Sequence, residues 1–291
     1  MMEKTKVKYR LQGHEKFPLR EGWINKGLME VDSDEMIFLS KEAPDEFGIG
    51  NNMVKSLRYW MRALGLFESD TARGSILSQE GRMILNHDPY LEDIFSLWVM
   101  HSYIAKNKDE ATTWYLYFNH CDAEILSKDQ IEHILSRELI KYVGNDDFSD
   151  KSLKNDIDVL LNMYSKDKGL IDPEEKNVSP FSQLGLIKKV ENQYVKTSPD
   201  LRNISEWVVL YELSQLMEGK DSISIEQVSN GEFSLSAIYH LGSVTINSFL
   251  DKLDALGYIR VDRTAGLDMI YRLNEFSKES VIEDYFGRLD R

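Results

Sequence analysis

Hydrophobic positions recur at intervals of three and four along most of the chain, and alternation is confined to short stretches. The C-terminal third shows the pattern best. Val209, Leu213 and Leu216 predict a helix over residues 206–218, stopped by Gly219. Residues 223–228 alternate. Residues 234–241 form a second predicted helix and Gly242 a turn. Ile246, Leu250, Leu253 and Leu256 share one face of a third helix over 244–256, ended by Gly257. A strand over 258–263, a turn at 264–266 and a return strand over 267–273 follow. Three helices and a hairpin in that order predict a winged helix-turn-helix.

A second copy of the pattern lies at about residues 20–86. Its strongest helix is 53–64, where Val54, Leu57, Met61 and Leu64 make an apolar stripe and Gly65 a stop. Residues 66–68 and 75–77 read as short wing strands around Arg73 and Gly74, and Leu77-Ser78-Gln79-Glu80-Gly81 leads into a further helical turn. The third copy is weaker. Ser127 and Gln130 have capping-box spacing ahead of Ile131, Ile134 and Leu135. Ser152 reads as the cap of a helix carrying Leu153, Ile157, Leu160, Leu161 and Tyr164. A polar loop with Pro173 and Pro180 precedes a hairpin over 184–190 and 193–197.

Between the first two hairpins, helices over 90–105 and 110–119 concentrate Trp98, Tyr103, Trp114, Tyr115, Tyr117 and Phe118. A core joining the units explains these rings, and a stacking platform for unpaired bases is the alternative. The expected fold class is therefore mainly α with short β-hairpins (α+β): tandem winged helix-turn-helix units joined by an aromatic helical core. The expected division is an N-terminal winged-helix-like unit over 1–87, a helical core with a degenerate second unit over 88–200, and a C-terminal winged-helix domain over 201–291.

Composition narrows the function classes. At 42% hydrophobic residues, the 291-residue chain has ample material for a core. A single cysteine, Cys121, excludes an intrachain disulfide and any cysteine-cluster metal site. The apolar run over 94–105 is interrupted by Ser96, His101 and Ser102 and is too short to cross a bilayer. With no N-terminal apolar run, the expected location is the cytoplasm. The formal charge is −14, which argues against a generic polyanion binder. It is unevenly placed: residues 1–20 carry +4, residues 21–46 carry −6, and residues 47–66 carry Lys55, Arg58 and Arg62 with no acid.

That acid-free segment holds the main candidate site. Lys55, Arg58 and Arg62 form a stripe about 100° from the apolar one. Asn51 and Asn52 stand at the helix start, after Gly48-Ile49-Gly50. In a recognition helix such residues reach base edges, while lysines and arginines along it meet phosphates. An ordinary solvated face is the alternative. The predicted C-terminal recognition helix turns Thr245, Asn247, Asp251, Lys252 and Asp254 outward, a net −1, which favours protein interaction. Its wing carries Arg260, Arg263 and Arg272 against Asp262 and Asp268.

The densest carboxylate cluster is His87-Asp88-Pro89-Tyr90-Leu91-Glu92-Asp93. Asp88, Glu92 and Asp93 are candidates for Mg²⁺-dependent phosphodiester cleavage. A helix start explains them as well, with Asp88 as N-cap and Pro89 at the first helical position. His120 and Cys121 are adjacent in sequence, so they point apart and make no dyad. Phosphate-cradling, dinucleotide-binding, zinc-protease and serine-hydrolase motifs are absent.

Four ordered motifs carry a resemblance: His14-Glu15-Lys16-Phe17-Pro18-Leu19-Arg20-Glu21-Gly22-Trp23; Gly48-Ile49-Gly50-Asn51-Asn52-Met53-Val54-Lys55-Ser56-Leu57-Arg58-Tyr59-Trp60; Asp88-Pro89-Tyr90-Leu91-Glu92-Asp93 with Leu97-Trp98; and Ala111-Thr112-Thr113-Trp114. Over about residues 14–120 the chain resembles a bacterial domain-of-unknown-function family found in DNA phosphorothioation (sulfur modification) and phage-defence operons. Members lie beside cysteine desulfurases and phosphoadenosine-phosphosulfate-reductase-like proteins, and one is the nicking component of the single-strand phosphorothioation system. The resemblance implies DNA as a partner, with those sulfur-transfer proteins beside it. It implies Arg20 near phosphate, within a 17–23 clamp that packs an N-terminal strand on the helix. It also makes the Asp88 cluster a better nuclease candidate.

The expected function is thus a DNA-binding component of such a system that docks partner proteins on DNA, through Asn51, Asn52, Lys55, Arg58, Arg62, Arg73 and Arg20. The alternatives are a metal-dependent DNA-nicking enzyme using Asp88, Glu92 and Asp93, and an acidic winged-helix scaffold or transcriptional regulator. No cofactor is evident from the sequence, with Mg²⁺ or Mn²⁺ required for nicking. A homodimer is plausible, and no membrane partner is expected.

Overall fold

The N-terminal run of elements is α1 (Trp23–Ser33), α2 (Ala43–Phe47), α3 (Asn51–Ala63), β1 (Phe67–Thr71), β2 (Gly74–Leu77) and α4 (Gln79–His87). The computed structural model describes residues 7–166, 178–264 and 266–289. α3 starts two residues earlier than its apolar stripe indicates. Extended Gly50 caps it, its carbonyl accepting from the Met53 and Val54 N–H groups. The buried side is wider than one stripe, taking in Ser56, Tyr59, Trp60 and Ala63 besides Val54, Leu57 and Met61. Gly65 then reverses the chain with φ +73°, against the Tyr103 ring. A Cβ there would lie 2.3 Å from that ring, so only glycine fits.

The middle run is α5 (Ile94–Lys106), α6 (Thr112–His120), β3 (Ile125–Ser127), α7 (Lys128–Val143), α8 (Asp150–Ser165), a 3-10 turn (Pro180–Leu184), β4 (Ile187–Val190) and β5 (Gln193–Lys196). The Ser127–Gln130 capping box forms as its spacing predicts. Two predicted starts are displaced. Ser149, not Ser152, caps α8, its hydroxyl accepting from the Ser152 N–H. α5 starts at Ile94 rather than residue 90, because Asp93 is its cap, accepting from the Phe95 N–H at 2.8 Å. Asp88 instead ends α4. Residues 88–93 are a loop with Tyr90 67% exposed at its tip. Pro173 lies outside the described residues.

The C-terminal run is α9 (Glu206–Leu216), β6 (Ser222–Ser224), α10 (Ile225–Ser229), α11 (Leu235–Tyr239), α12 (Ser243–Ala255), β7 (Ile259–Thr264), β8 (Leu267–Arg272) and α13 (Lys278–Leu289). The alternating stretch at 223–228 divides at Ser224. That residue ends the strand and caps α10 in a second capping box with Gln227. The fold is therefore mixed α and β, mainly helical, with small antiparallel sheets. β1 pairs β2, and two three-stranded sheets have the orders β3-β5-β4 and β6-β8-β7. In both larger sheets the strand that precedes the helices pairs with the last strand of the hairpin, so the middle and C-terminal runs share one strand order.

Aromatic rings fill the centre. Trp98, Trp114, Tyr115, Tyr117 and Phe118 are buried, as the core reading predicts, whereas Tyr103 is 41% exposed. That burial leaves these five rings unavailable to the alternative, a stacking platform for bases. Trp60 of α3 meets Trp114 of α6 edge-on at 5.5 Å, joining the N-terminal run to the centre. Glu212 of α9 is fully buried. Its carboxylate accepts from Lys106 Nζ at 2.8 and 2.9 Å, from the Tyr239 hydroxyl at 2.7 Å, and from Ser102. A buried carboxylate requires such saturation, because desolvation otherwise costs several kcal/mol (~3–5 when a partner is removed). α13 returns to the start of the molecule: Phe286 stacks on His87 at 5.0 Å and Tyr285 on Phe95 at 4.0 Å.

Candidate nucleic-acid interface

Asn51, Asn52 and Lys55 are exposed on the first two turns of α3, and Arg73 is exposed in the β1–β2 turn. Hydrogen bonds of Arg58 tie that hairpin to α3. Its Nε donates to the two Asp70 oxygens at 2.9 and 3.0 Å, and its Nη2 to Asp70 at 2.5 Å and to the Thr71 carbonyl at 3.4 Å. Arg62 Nη1 lies 3.1 Å from the same carboxylate, which also accepts from the Ser75 hydroxyl at 2.7 Å. The Asp70 side chain is 3% exposed. The sequence shows an acid-free stripe over 47–66, but the fold brings an acid from the hairpin onto it. Asp70 was missed because residues twelve apart become neighbours only when the hairpin folds back.

The C-terminal half of α3 is covered further. Arg62 Nε lies 3.9 Å from Glu110, which pairs with Arg10 at 2.7 Å and Lys8 at 3.4 Å. Burial first, and then the nearby Arg10, push the Arg62 guanidinium below its usual pKa. Among the described residues no carboxylate pairs with Lys55 or Arg73. The N-terminal end of α3 also presents backbone N–H groups and the positive end of the helix dipole.

Arg20 is placed elsewhere. Its guanidinium lies 5.4 Å from the Trp23 ring and 6.0 Å from Phe17, with Nε buried and without a hydrogen-bond partner. The implied clamp from 17–23 onto α3 exists, but it runs through a backbone atom. The Phe17 carbonyl accepts from Trp60 Nε1 at 3.1 Å and Ser56 Oγ at 3.3 Å. No strand forms over residues 7–16, which run as coil and turns.

The three candidate catalytic carboxylates do not converge. Asp88 is buried, and its oxygens accept from the Glu92 N–H at 2.8 Å, the Asp93 N–H at 3.2 Å and the Ser96 hydroxyl at 2.6 Å. Burial raises its pKa, and those hydrogen bonds work against the rise. Asp93 is occupied by the α5 cap and by the Tyr285 hydroxyl at 2.9 and 3.0 Å. Glu92 is exposed. This donor set does not fit a divalent cation, and among the described residues no group of three His, Cys, Asp or Glu side chains does. His87 is taken up by Phe286 and by Glu283 at 3.2 Å.

His120 and Cys121 form no pair. His120 Nε2 meets the Tyr115 hydroxyl at 2.8 Å, and burial pushes the Cys121 thiol up in pKa. A cleft of about 700 Å³ opens beside them, lined also by Lys196, Glu232 and His240. Lys196 is used structurally there. It donates to the Tyr117 and Cys121 carbonyls, capping the end of α6.

The helices that precede the other two hairpins differ from α3. α8 is buried on several sides, through Leu153, Ile157, Val159 and Tyr164, and its solvent-facing stripe of Lys151, Lys154, Asp158 and Asn162 mixes both charges. α12 buries Ile246, Phe249, Leu250 and Leu253 and leaves the opposite side open. Arg263 of β7 lies along that side, 2.7 Å from Asp251 and 2.9 Å from the Asn247 amide oxygen.

Two crystal structures share this fold. A magnesium-ion-bound SspB aligns with a TM-score of 0.83 at 24% identity, covering 96% of this chain and 88% of that one. A second SspB structure aligns with a TM-score of 0.82 at the same identity and coverage. No curated protein matches the sequence. Among the described residues no helix is long and apolar enough to cross a membrane. The family profile of proteins of unknown function DUF4007 matches residues 11–286, and the chain belongs to that family.

Proposed function

We propose that this protein is a DNA-binding component of a bacterial DNA phosphorothioation and phage-defence system, and that it docks partner proteins on DNA. The observation that carries the reading is the exposed end of α3: Asn51, Asn52 and Lys55 beside a hairpin whose turn carries Arg73. Arg58 locks that hairpin onto the helix, so the two elements present one preset surface. Phosphate contact falls to Lys55, Arg73 and the open edges of Arg58 and Arg62, and base contact to Asn51 and Asn52. In this reading residues 1–87 are a winged-helix-like unit, 88–200 a helical core with a degenerate second unit, and 201–291 a C-terminal winged-helix domain. Only the first keeps a basic reading face. Family membership and the SspB fold support the setting. Its partners are a phosphoadenosine-phosphosulfate-reductase-like protein and a cysteine desulfurase.

The test is duplex binding followed by fluorescence anisotropy across a salt series. Lys55→Glu with Arg73→Glu is expected to weaken binding and flatten its salt dependence. Arg58→Glu with Arg62→Glu is a poorer probe, because it also detaches the hairpin from Asp70. Binding unchanged in the Lys55 and Arg73 variant overturns the site. Absence of duplex binding at low salt overturns the reading in favour of an acidic scaffold.

One observation favours a second reading, metal-dependent nicking: a protein of this fold has been crystallised with magnesium. Relaxation of supercoiled plasmid with and without Mg²⁺ or Mn²⁺ decides it. Asp88 and Asp93 are already occupied by hydrogen bonds, so a positive result is followed by Glu92→Ala to decide whether the metal lies at this loop or at other residues.

A further inference from the structure

We infer that the open face of α12 is a self-association surface that pairs with α12 of a second copy, antiparallel and in one register. The inference is independent of the DNA reading. Val244, Ser248, Asp251 and Ala255 follow one another at intervals of four, three and four, so they form a single straight stripe. The stripe lies opposite the buried Ile246, Phe249, Leu250 and Leu253. At its head Val244 is 83% exposed, the most exposed large hydrophobic side chain among the described residues. A shallow groove runs along the stripe, flanked by Asn247 and Lys252.

Charge selects the occupant. The protein carries −14, which opposes contact between copies over most of its surface. On this face Asp251 and Lys252 cancel, and Arg263 lies 2.7 Å from the Asp251 carboxylate. The stripe is also complementary to itself. A two-fold axis between residues 249 and 250 sets Val244 against Ala255 of the second copy and Ser248 against Asp251 of the second copy. The apolar side chain then meets an apolar partner, and the hydroxyl meets a carboxylate that accepts its hydrogen. On one flank Thr245 faces Lys252 of the second copy. Small side chains at 248 and 255 let the helices approach closely. A DNA groove or an acidic peptide would instead require a basic stripe, which this is not. One helix pair buries less than the roughly 800 Å² per partner of a standard interface, so association is weak and appears only at high protein concentration.

The experiment is sedimentation equilibrium on the full chain up to its solubility limit, without DNA. A monomer–dimer equilibrium is expected. Val244→Glu should weaken it by about tenfold or more, because the carboxylate loses water without gaining a donor. That residue is exposed, so the circular dichroism spectrum and the melting temperature should not change. Register is read by cysteine cross-linking. Val244→Cys mixed with Ala255→Cys should give a covalent dimer under mild oxidation. Val244→Cys alone should not, because its two copies lie about 16 Å apart along the helix axis at 1.5 Å per residue. Native Cys121 is buried and adds no background. A monomer at every concentration, a dimer indifferent to Val244→Glu, or self-linking of Val244→Cys each overturns the inference. Loss of duplex binding in monomeric Val244→Glu also overturns it and assigns the face to nucleic acid.

Discussion

His14 Nε2 meets Asp156 Oδ1 at 2.8 Å, with both side chains buried, 142 residues apart in the chain. This contact fastens the N-terminal segment to α8. Asp156 also accepts from the Gln12 N–H at 2.7 Å and the Thr113 hydroxyl at 2.8 Å. His14 stacks on Trp60 at 5.8 Å, and beside it Gly13 lies so close to Tyr59 that a Cβ would be 2.4 Å from the ring. Asp156→Ala leaves two buried donors and the half-buried Gln12 N–H without an acceptor and is expected to cost about 3–5 kcal/mol. Asp156→Asn, which keeps one acceptor oxygen, should cost less. Urea unfolding measures both, and equal losses would show that charge and acceptor count do not matter at this site.

Asp70 is expected to hold the candidate interface in shape. Asp70→Ala should destabilise the protein by about 1–3 kcal/mol, through two half-buried arginines and the Ser75 hydroxyl that lose their acceptor. It should also raise the affinity for any duplex at low salt, since two guanidiniums are released. Discrimination between sequences should fall at the same time. Anisotropy with matched and scrambled duplexes reads this. A variant that loses affinity without changing its salt slope would show that Asp70 only supports the fold.

At the Asp88 loop, Glu92→Ala is expected to leave both stability and any plasmid relaxation unchanged, because Glu92 is exposed and its side chain makes no described contact that the loop depends on. Asp88→Ala should lower stability by about 1–3 kcal/mol by orphaning two N–H groups and a hydroxyl. A loss of nicking in Glu92→Ala at unchanged stability would restore the loop as a metal site.

Acid stability should depend on His101 and His240. Burial holds each imidazole down to about 3 from the usual 6.5. Lys106 adds to the effect at His101, and Lys196 and His101 add to it at His240. The unfolded chain therefore takes up protons near pH 6.5 that the folded chain refuses. Stability from these groups is complete above pH 6.5 and is lost as pH falls from 6.5 towards 3. His101→Gln should remove about one proton from the acid unfolding limb, a slope change of about 1.4 kcal/mol per pH unit. Unfolding free energies measured between pH 4 and 7 check this, and an unchanged slope refutes it.

Much of the fold was legible in residue spacing. The period of Ile246, Leu250 and Leu253, the glycine stops at 65, 219 and 257, and the Ser127–Gln130 box each act within a few residues. Local geometry alone decides them, so the helices and hairpins fall close to where the pattern puts them. The displaced starts at Asp93 and Ser149 have a similar origin. Several serines and aspartates near one helix start offer equivalent caps, and packing of the first turn selects among them.

The candidate site was legible only in part. Sequence determined that residues 51–62 place amides and cations on one helix, because helical phase is fixed by spacing. It did not determine which of those cations face solvent without a partner. Asp70 reaches Arg58 and Arg62 through the fold of the β1–β2 hairpin, and Glu110 reaches Arg62 through the α5–α6 loop. Asp88 and Asp93 look like an open carboxylate cluster in the sequence, yet Ser96 and Tyr285 occupy them. Charge along a chain is additive and can be read residue by residue. Its availability to a ligand depends on through-space partners at about 3 Å, and only the tertiary structure supplies those.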